Sequence, residues 1–598
     1  MSKASLELGG GNWAAKDRKL LGYAVGDTSG KYIPREFDFT RNSDIAATRI
    51  NKDGLIEKHR ENVLLNSDDF SIAGASDGWG KNNATVTSGY AGYDGTTNAW
   101  KLESTVLTSY NNLNQNETNN AAITPLGSKV STFSVYLKAG TTNWVRLNLN
   151  GTGNVYFDLG KGQVGTASSG NVLGQIEKAG NGFYRCSITR LSGSAFDICY
   201  IYLAESDENL LPNTHSTPEY IFVQHPQLEY GLVATDYLES GATTGKAGVL
   251  DNLPRIDYTS GSASLLLEPQ RKNEISHSEY GGGYEVVDSN VTVTDNAEVS
   301  PEGLKNAVKI EGISTSSATQ AVKFGALESG SVVGRTFTGS LYIKPVNSGD
   351  VGGNVYLSIQ RRFGDFEAST EAIEIDSADW KRYEITYTFT GAGSGNQIGC
   401  DFKILKSGTP IDDIYVYGVQ LEEGSYPTSY IPTYGTSVTR EEDDCKTASP
   451  STSYFNQTEG TVYAQITISA ITSGLSSRVF DLKNSSGSNQ IYIQQNDSRI
   501  NGVVYNGSNQ FSEGTSSGFL SVGSTYKIAM AYKDSDYALY INGSQIATSS
   551  ASGLGTLAVD RVDLAIGTGN IDLGNKIKQS LVFNTRLSNS ELAALTTL

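Results

Sequence analysis

Leu55-Ile56-Glu57-Lys58-His59-Arg60-Glu61-Asn62 and Leu266-Leu267-Glu268-Pro269-Gln270-Arg271-Lys272-Asn273 are two copies of one connecting segment, identical at the Leu, Glu, Arg and Asn positions. An Arg-Ile pair precedes each, at Arg49-Ile50 and Arg255-Ile256. The runs downstream of each copy repeat in the same order. Phe133-Ser-Val-Tyr-Leu-Lys138 answers to Gly339-Ser-Leu-Tyr-Ile-Lys344, and Phe183-Tyr-Arg-Cys-Ser-Ile-Thr189 to Trp380-Lys-Arg-Tyr-Glu-Ile-Thr386. Between them, Val155-Tyr-Phe-Asp-Leu159 answers to Ala372-Ile-Glu-Ile-Asp376. Closing motifs match as well: Gln227-Leu-Glu229 with Asp236-Tyr-Leu238, against Gln420-Leu-Glu422 with Ser429-Tyr-Ile431. Cys199 and Cys400 hold corresponding places just before those closures. Ordered matches of this kind imply a duplicated domain, and duplicated modules build an extended multidomain chain rather than one large globule.

The matched runs are short, rich in Val, Ile, Tyr, Phe and Thr, and often alternate apolar with polar residues, as half-buried antiparallel strands do. Gly, Ser, Asn and Asp between them supply turns. At 598 residues, with 65 Gly, 33 Tyr and 38% hydrophobic residues, the chain is expected to be all-β and to divide into several cores. A net charge of −18 argues against nonspecific nucleic-acid binding and against attraction to anionic lipid. No apolar run is long enough to span a bilayer, and the N-terminus lacks the apolar stretch of a secretory signal. The four cysteines, Cys186, Cys199, Cys400 and Cys445, form no metal-binding pair and read as small buried hydrophobes, although a Cys186–Cys199 bridge stays open.

These boundaries result: an extended N-terminal arm over 1–36, a connector over 37–61, a jelly roll over 62–240, and a connector over 241–272. A second jelly roll occupies 273–435, a connector 436–453, and a third domain 454–598. In the last of these, alternating strands flank an Asn542-Gly543 hairpin turn, and Ser590-Glu-Leu-Ala-Ala-Leu595 is the best short helix, capped by Ser588 or Ser590. Leu539-Tyr-Ile-Asn-Gly543, Ala565-Ile-Gly567 and the final Asn584…Leu587-Ser588 run resemble the concanavalin A-like (laminin G-like) sandwich. The connectors and paired jelly rolls look like those of bacteriophage tail-fibre and receptor-binding proteins. Their carbohydrate-binding-module-like jelly rolls follow such connectors, among which Phe39-Thr-Arg41 and Thr436-Ser-Val-Thr-Arg440 also belong.

That resemblance implies a virion fibre that adheres to host-surface glycan, assembled as a homo-oligomer, a trimer, with the arm joining other virion proteins. A structural head or collar fibre without a specific ligand and a tail-spike glycan depolymerase are the alternatives. Sugar binding calls for aromatic faces beside Asn, Asp or Gln. Trp79, Tyr492, Tyr505, Asn506, Asn509 and Phe511 are the candidates, with core or turn packing as the competing reading of each. No catalytic residues are assigned, and the chain is read as a non-enzyme. Glu374-Ile-Asp376-Ser-Ala-Asp379 approaches the acidic run of concanavalin A-like glucanases, but falls in the second jelly roll and reads as a solvated strand edge. His59, His215, His225 and His277 lie outside metal-ligand spacing. No cofactor is expected. Ca²⁺ is compatible with such sandwiches, yet Glu441-Glu-Asp-Asp444 lacks a coordinating pattern and reads as a solvated connector.

Overall fold

The computed structural model describes residues 3–25, 32–43, 45–72, 78–105, 110–127, 129–149, 153–192, 198–210, 217–316, 320–362, 367–391, 398–448, 451–453, 455–564 and 574–598. His215 and residues 565–567 of the expected late strand lie outside the described residues.

Two sandwiches repeat one strand order. In the first, one sheet runs Gln163–Ala167, Gly153–Asp158, Trp144–Leu149, Ile198–Ser206, Asn112–Asn116, Gly80–Asn82. Its facing sheet runs Val172–Lys178, Tyr184–Arg190, Ser131–Ala139, Tyr220–Tyr230, Ala99–Ser104, Ala84–Tyr90. The second sandwich gives Ala368–Glu374, Asn354–Arg361, Ile398–Leu405, Gln320–Ser331, Glu285–Val286 against Lys381–Thr388, Thr336–Pro345, Ile414–Glu423, Ala307–Glu311, Thr292–Glu298. Even the irregularities correspond. Register slips between Ser134 and Tyr136 and again between Ser340 and Tyr342, and opposite each bulge the backbone turns to positive φ, at His225 (51°) and Gly418 (62°). Each sandwich has its own hydrophobic core.

The repeated motifs have a shared task, which is to fasten chain entry to chain exit. Asn62 accepts from the backbone N–H of Leu64 and Leu228 and donates to the carbonyls of Pro226 and Leu238. Asn273 makes the same four bonds, with Ile275, Leu421, Val419 and Ile431. Gln227 accepts from Leu238 N–H while Glu229 accepts from Thr235 N–H; Gln420 and Glu422 do the same for Ile431 and Thr428. Buried amides left unpaired are costly, so a side chain that satisfies four at once fixes this local geometry.

The third sandwich departs from expectation at its edge. The described residues of the 1–36 segment do not extend away as an arm. Leu6–Gly9 pairs with Asn575–Phe583, and Lys19–Val25 and Tyr32–Thr40 continue the sheet to Asp444–Thr447. Leu6, Leu8, Leu20, Ala24, Phe37 and Phe39 enter the same core as Val462, Ile491 and Leu539. Their alternation with polar residues is a strand pattern, and an apolar strand face of this kind needs a partner sheet. The second connector joins too, since Ser264–Leu267 pairs with Asn575–Phe583 and buries Leu265 and Leu267.

Connectors meet in a buried ionic hub. Arg41, Arg255 and Arg440, one from each connector, have side chains with no solvent exposure. Asp443 bonds Arg41 at 3.2 Å, bonds Arg255, and accepts from Glu268 N–H at 2.9 Å. Glu268 in turn holds Arg255 at 2.8 Å and Arg440 at 3.1 Å and accepts from Ser429 N–H. The 441–444 run is therefore solvated only in part: Glu442 is exposed, whereas Asp443 is the buried counter-ion of Arg41 and Arg255. All four cysteines are buried and free. The C-terminal helix Asn589–Thr596 starts at Ser588, whose side chain accepts from Glu591 N–H in a capping box. Asn542 and Gly543 turn the expected hairpin with φ of 48° and 81°.

Candidate ligand-binding site

The third sandwich has two outer faces with opposite fates. Over the sheet containing Glu459–Ile468, Thr525–Lys533 and Asn575–Phe583, the C-terminal helix lays Leu592 and its neighbours on Tyr463, Ala529, Ala531, Ala538, Leu581 and Phe583, closing that face. Outward positions on the other sheet carry polar and aromatic side chains instead. Directly opposed residues on antiparallel strands share a face. The register therefore aligns one row across eight strands: Lys19, Asp38, Lys446, Asp563, Asp481, Tyr492, Val503 and Ser512. Their neighbours Phe480, Leu482, Ile491, Ile493 and Val504 point inward to the core.

Within the row, Arg478 ties a ring to a carboxylate. Its guanidinium carbon stands 4.0 Å above the Tyr492 ring centre, and Nη1 reaches Asp481 Oδ2 at 2.6 Å. Asp563, opposite Asp481, is held by Lys483 Nζ at 2.5 Å. Both aspartates are almost wholly buried, at 1% and 4% side-chain exposure, and each keeps an Oδ1 without a hydrogen-bond partner. Burial pushes both carboxyls up; Arg478 and Lys483 oppose that shift through attraction and hydrogen bonds. The arrangement offers an aromatic–guanidinium platform whose carboxylates are buried beneath it and hold its cations in place.

The six expected sugar contacts separate. Tyr492 lies on this platform, and Tyr505, opposite Gln490 one step along the same pair of strands, shares its face. Asn506 and Asn509 sit at the rim, where Asn506 Nδ2 donates to Leu554 O at 2.5 Å and Asn509 is exposed. Phe511 is a core residue, with its ring stacked 5.7 Å from Tyr537. Trp79, at 2% exposure, is core to the first module: it meets Phe70 edge-on and donates Nε1–H to Asn66 O. A buried indole presents no face to a ligand, so neither aromatic is a stacking surface. Sequence reading missed Arg478, Asp481, Lys483 and Asp563. The strand alternation around Val562-Asp563-Leu564 carried a signal, while the bulge between Arg478 and Phe480 hid the phase of Arg478 and Asp481.

Asp376 is half exposed, paired with Lys381 and bonded by Tyr383 Oη at 2.9 Å, and Glu374 and Asp379 are exposed as well. The run thus lies on an open surface. Among the described residues, no group of three His, Cys, Asp or Glu side chains is placed to hold a metal ion. A cavity of about 20 Å³ between the first connector and both modules, lined by Lys58, Glu279, Glu302 and Tyr434, has room for roughly one water.

Residues 441–593 match the Laminin_G_3 family of the concanavalin A-like lectin/glucanases superfamily. Among solved structures, the chain is similar to the CBM40 of Ruminococcus gnavus IT-sialidase bound to α2,3 sialyllactose, at 18% identity and a TM-score of 0.20, over 24% of this chain and 84% of that one. It is also similar to the binding domain of botulinum neurotoxin serotype G, at 11% identity and a TM-score of 0.21, over 26% of this chain and 42% of that one. A third likeness is to the receptor binding domain of the botulinum neurotoxin C/D mosaic serotype, at 17% identity and a TM-score of 0.23, over 26% and 40%. No curated protein matches the chain. The concanavalin A-like assignment covers the third domain, and it agrees with the all-β architecture of tandem antiparallel sandwiches.

Proposed function

We propose that this chain is an adhesive fibre protein of a bacteriophage virion that binds host-surface glycan through the open face of its third sandwich. The observation that carries the binding reading is the contrast between the two outer faces. One is sealed by a helix; the other leaves the half-buried rings of Tyr492 and Tyr505 and the Arg478 guanidinium facing outward, over two buried carboxylates. A pyranose would stack its C–H surface on a tyrosine ring while Arg478, held by the buried Asp481, donates to ring or hydroxyl oxygens. The virion setting, the trimer and the anchoring to other virion proteins rest on the resemblance of the connectors and paired jelly rolls. Single sugar contacts are weak, so several copies acting together would raise avidity by about 10²–10⁴.

A glycan array probed with the full chain, alongside Tyr492→Ala and Arg478→Ala, tests the reading. Binding to a defined glycan that both variants lose is the expected result. A blank array with the assembled oligomer would favour a structural head or collar fibre. The glycan depolymerase is the other alternative, and the paired carboxylates Asp481 and Asp563 could serve it only if a ligand reached beneath Arg478 and Lys483, which bury them. Release of reducing ends, abolished by Asp563→Asn, would replace adhesion with catalysis.

A further inference from the structure

The two jelly rolls repeat one core plan, yet they differ on one outer face. In the first, Val145, Leu147, Leu149, Cys199, Ile201 and Leu203 point into the core, so the residues between them point out. Register aligns an outward row across five strands: Asn82, Asn112, Tyr202, Arg146 and Tyr156. Tyr200 lies beside Tyr202 on the same strand, between Asn114 and Asn148.

Aromatic and cationic groups gather along this row. The Arg146 guanidinium carbon stands 4.1 Å from the Tyr202 ring centre and 6.0 Å from that of Tyr156. Tyr202 meets Tyr200 at 4.9 Å, and Tyr110, which is 62% exposed, stands edge-on to Tyr202 at 6.3 Å. Buried amides brace the row. Asn112 Oδ1 accepts from Asn82 Nδ2 at 3.2 Å and from Asn114 Nδ2 at 3.0 Å, and Asn148 Nδ2 donates to Asn154 Oδ1 at 2.6 Å. Asn82 is exposed, and Asn154, Tyr200, Tyr202 and Arg146 are half-buried, so a ligand can reach them.

Two observations point to a ligand rather than to mere solubility. Among the described residues, Arg146 has no carboxylate partner, and its buried Nε lacks a hydrogen bond. Arg478 on the third sandwich, by contrast, is neutralised by Asp481. The second observation is that the other module fills the same positions differently. Cys199 corresponds to Cys400, so Tyr200 and Tyr202 answer to Asp401 and Lys403, and Arg146 and Asn148 to Ser358 and Gln360. There Lys403 bonds Asp401 and Gln360, each at 3.2 Å, and charge is matched within the face. The fold therefore accepts a self-satisfied polar surface here, and the first module carries rings, amides and an unmatched cation in its place.

We propose that this face of the first module is a second carbohydrate site, for a glycan bearing a carboxylate, which pairs with Arg146 while Tyr202 and Tyr110 pack on the sugar ring. Tyrosine rings suit pyranose C–H surfaces, Asn82 and Asn154 suit hydroxyls, and a guanidinium fork fits a carboxylate. A polyphosphate needs several cations, and one unmatched arginine in a chain of net charge −18 does not supply them. The face lies in a different module from the Tyr492 platform, so either site can fail without the other.

The test is an array of oligosaccharides containing hexuronate or sialic acid, printed beside their carboxyl-reduced counterparts and probed with the full chain carrying Tyr492→Ala, which disables the third-sandwich site. Binding to at least one acidic glycan is expected, weakened at least about tenfold by carboxyl reduction and by a similar factor on adding Arg146→Gln or Tyr202→Ala. Arg146→Lys, which keeps the charge without the fork, retains part of the binding. Unchanged hydrogen-exchange protection of Trp144–Leu149 shows that these variants are folded. No acidic glycan bound by the Tyr492→Ala chain, equal binding of the carboxyl-reduced forms, or binding indifferent to Arg146→Gln would each overturn the proposal. So would equally tight, Arg146-dependent binding of a polyglutamate peptide, which would assign the face to an acidic polypeptide.

Discussion

Replacing Asp443 with asparagine should open the centre of the molecule while leaving each sandwich folded. Asp443 is fully buried and balances Arg41 and Arg255 while accepting the Glu268 amide. The asparagine would keep the volume but leave two guanidinium groups beside a neutral amide, with Glu268 bonded to Arg255 and Arg440 but not to Arg41. Removing one partner of a buried ion pair costs about 3–5 kcal/mol, because the remaining charge stays desolvated. At about 1.36 kcal/mol per decade, that corresponds to roughly 150- to 5,000-fold more frequent local opening. Whole-chain melting is a poor readout for several cores. Hydrogen exchange by mass spectrometry reads the connectors directly, and the amides of Arg255–Asp257, Ser264–Leu267 and Val438–Arg440 should lose protection while Ser131–Ala139 and Thr336–Pro345 keep theirs. Glu36→Gln, which breaks an exposed pair with Lys16, serves as the control, since solvent screens such a pair. If Asp443→Asn raises connector exchange no more than this control, the hub does not hold the domains together and the argument fails.

Other perturbations draw on the same geometry. Asn62→Ala and Asn273→Ala each strand four buried backbone groups, so both should destabilise their own module by at least about 3 kcal/mol and by similar amounts, as denaturant titration of each module's exchange would show. Trp79→Ala should lower the first module's stability by about 3–5 kcal/mol while leaving glycan binding unchanged, separating a core indole from a sugar platform. Glu268 is held well below the usual carboxylate range by Arg440 and Arg255 against the opposing effect of burial. A depressed folded pKa stabilises above the unfolded value and loses that stabilisation as pH falls through the folded one, so hub protection should decline progressively below about pH 4. Protection flat from pH 5 to 2 would contradict it. Ser588→Ala removes the capping box and should loosen the C-terminal helix by about 1 kcal/mol, visible as faster exchange of Leu592.

The duplication, the entry and exit motifs, the Asn542–Gly543 turn and the Ser588 cap were legible because their cause is local. Alternation, turn residues and capping oxygens act within a few positions. The partners of Leu6 and Leu8 were not, since Leu6 pairs with Val582 almost the whole chain away and no local pattern encodes such a pairing. Asp443 misled for the same reason: its acidic neighbours look solvated until Arg41 and Arg255 arrive from distant connectors. In the candidate site, Tyr492 and Tyr505 read as aromatics around a loop, whereas they stand on paired strands, outward between inward Ile491, Ile493 and Val504. Phe511 was misassigned although it stands opposite the inward Val504, a relation visible only once register is known. Arg478 escaped because the bulge beside it shifts the strand's phase.

The antiparallel pairing of Leu6–Gly9 with Asn575–Phe583 also sets a mechanical response. Ser5 and Leu6 lie beside Val582, so tension between residue 5 and residue 583 pulls both strands from the same end. Hydrogen bonds then break singly and in order, as in a zipper, rather than all together in shear. The two jelly rolls hang outside this path as a loop and feel none of the strain until the seam has opened. An optical trap gripping those positions would record a weak first yield with both jelly rolls still folded, followed by stiffer ruptures, making the seam a fuse for the rest of the molecule.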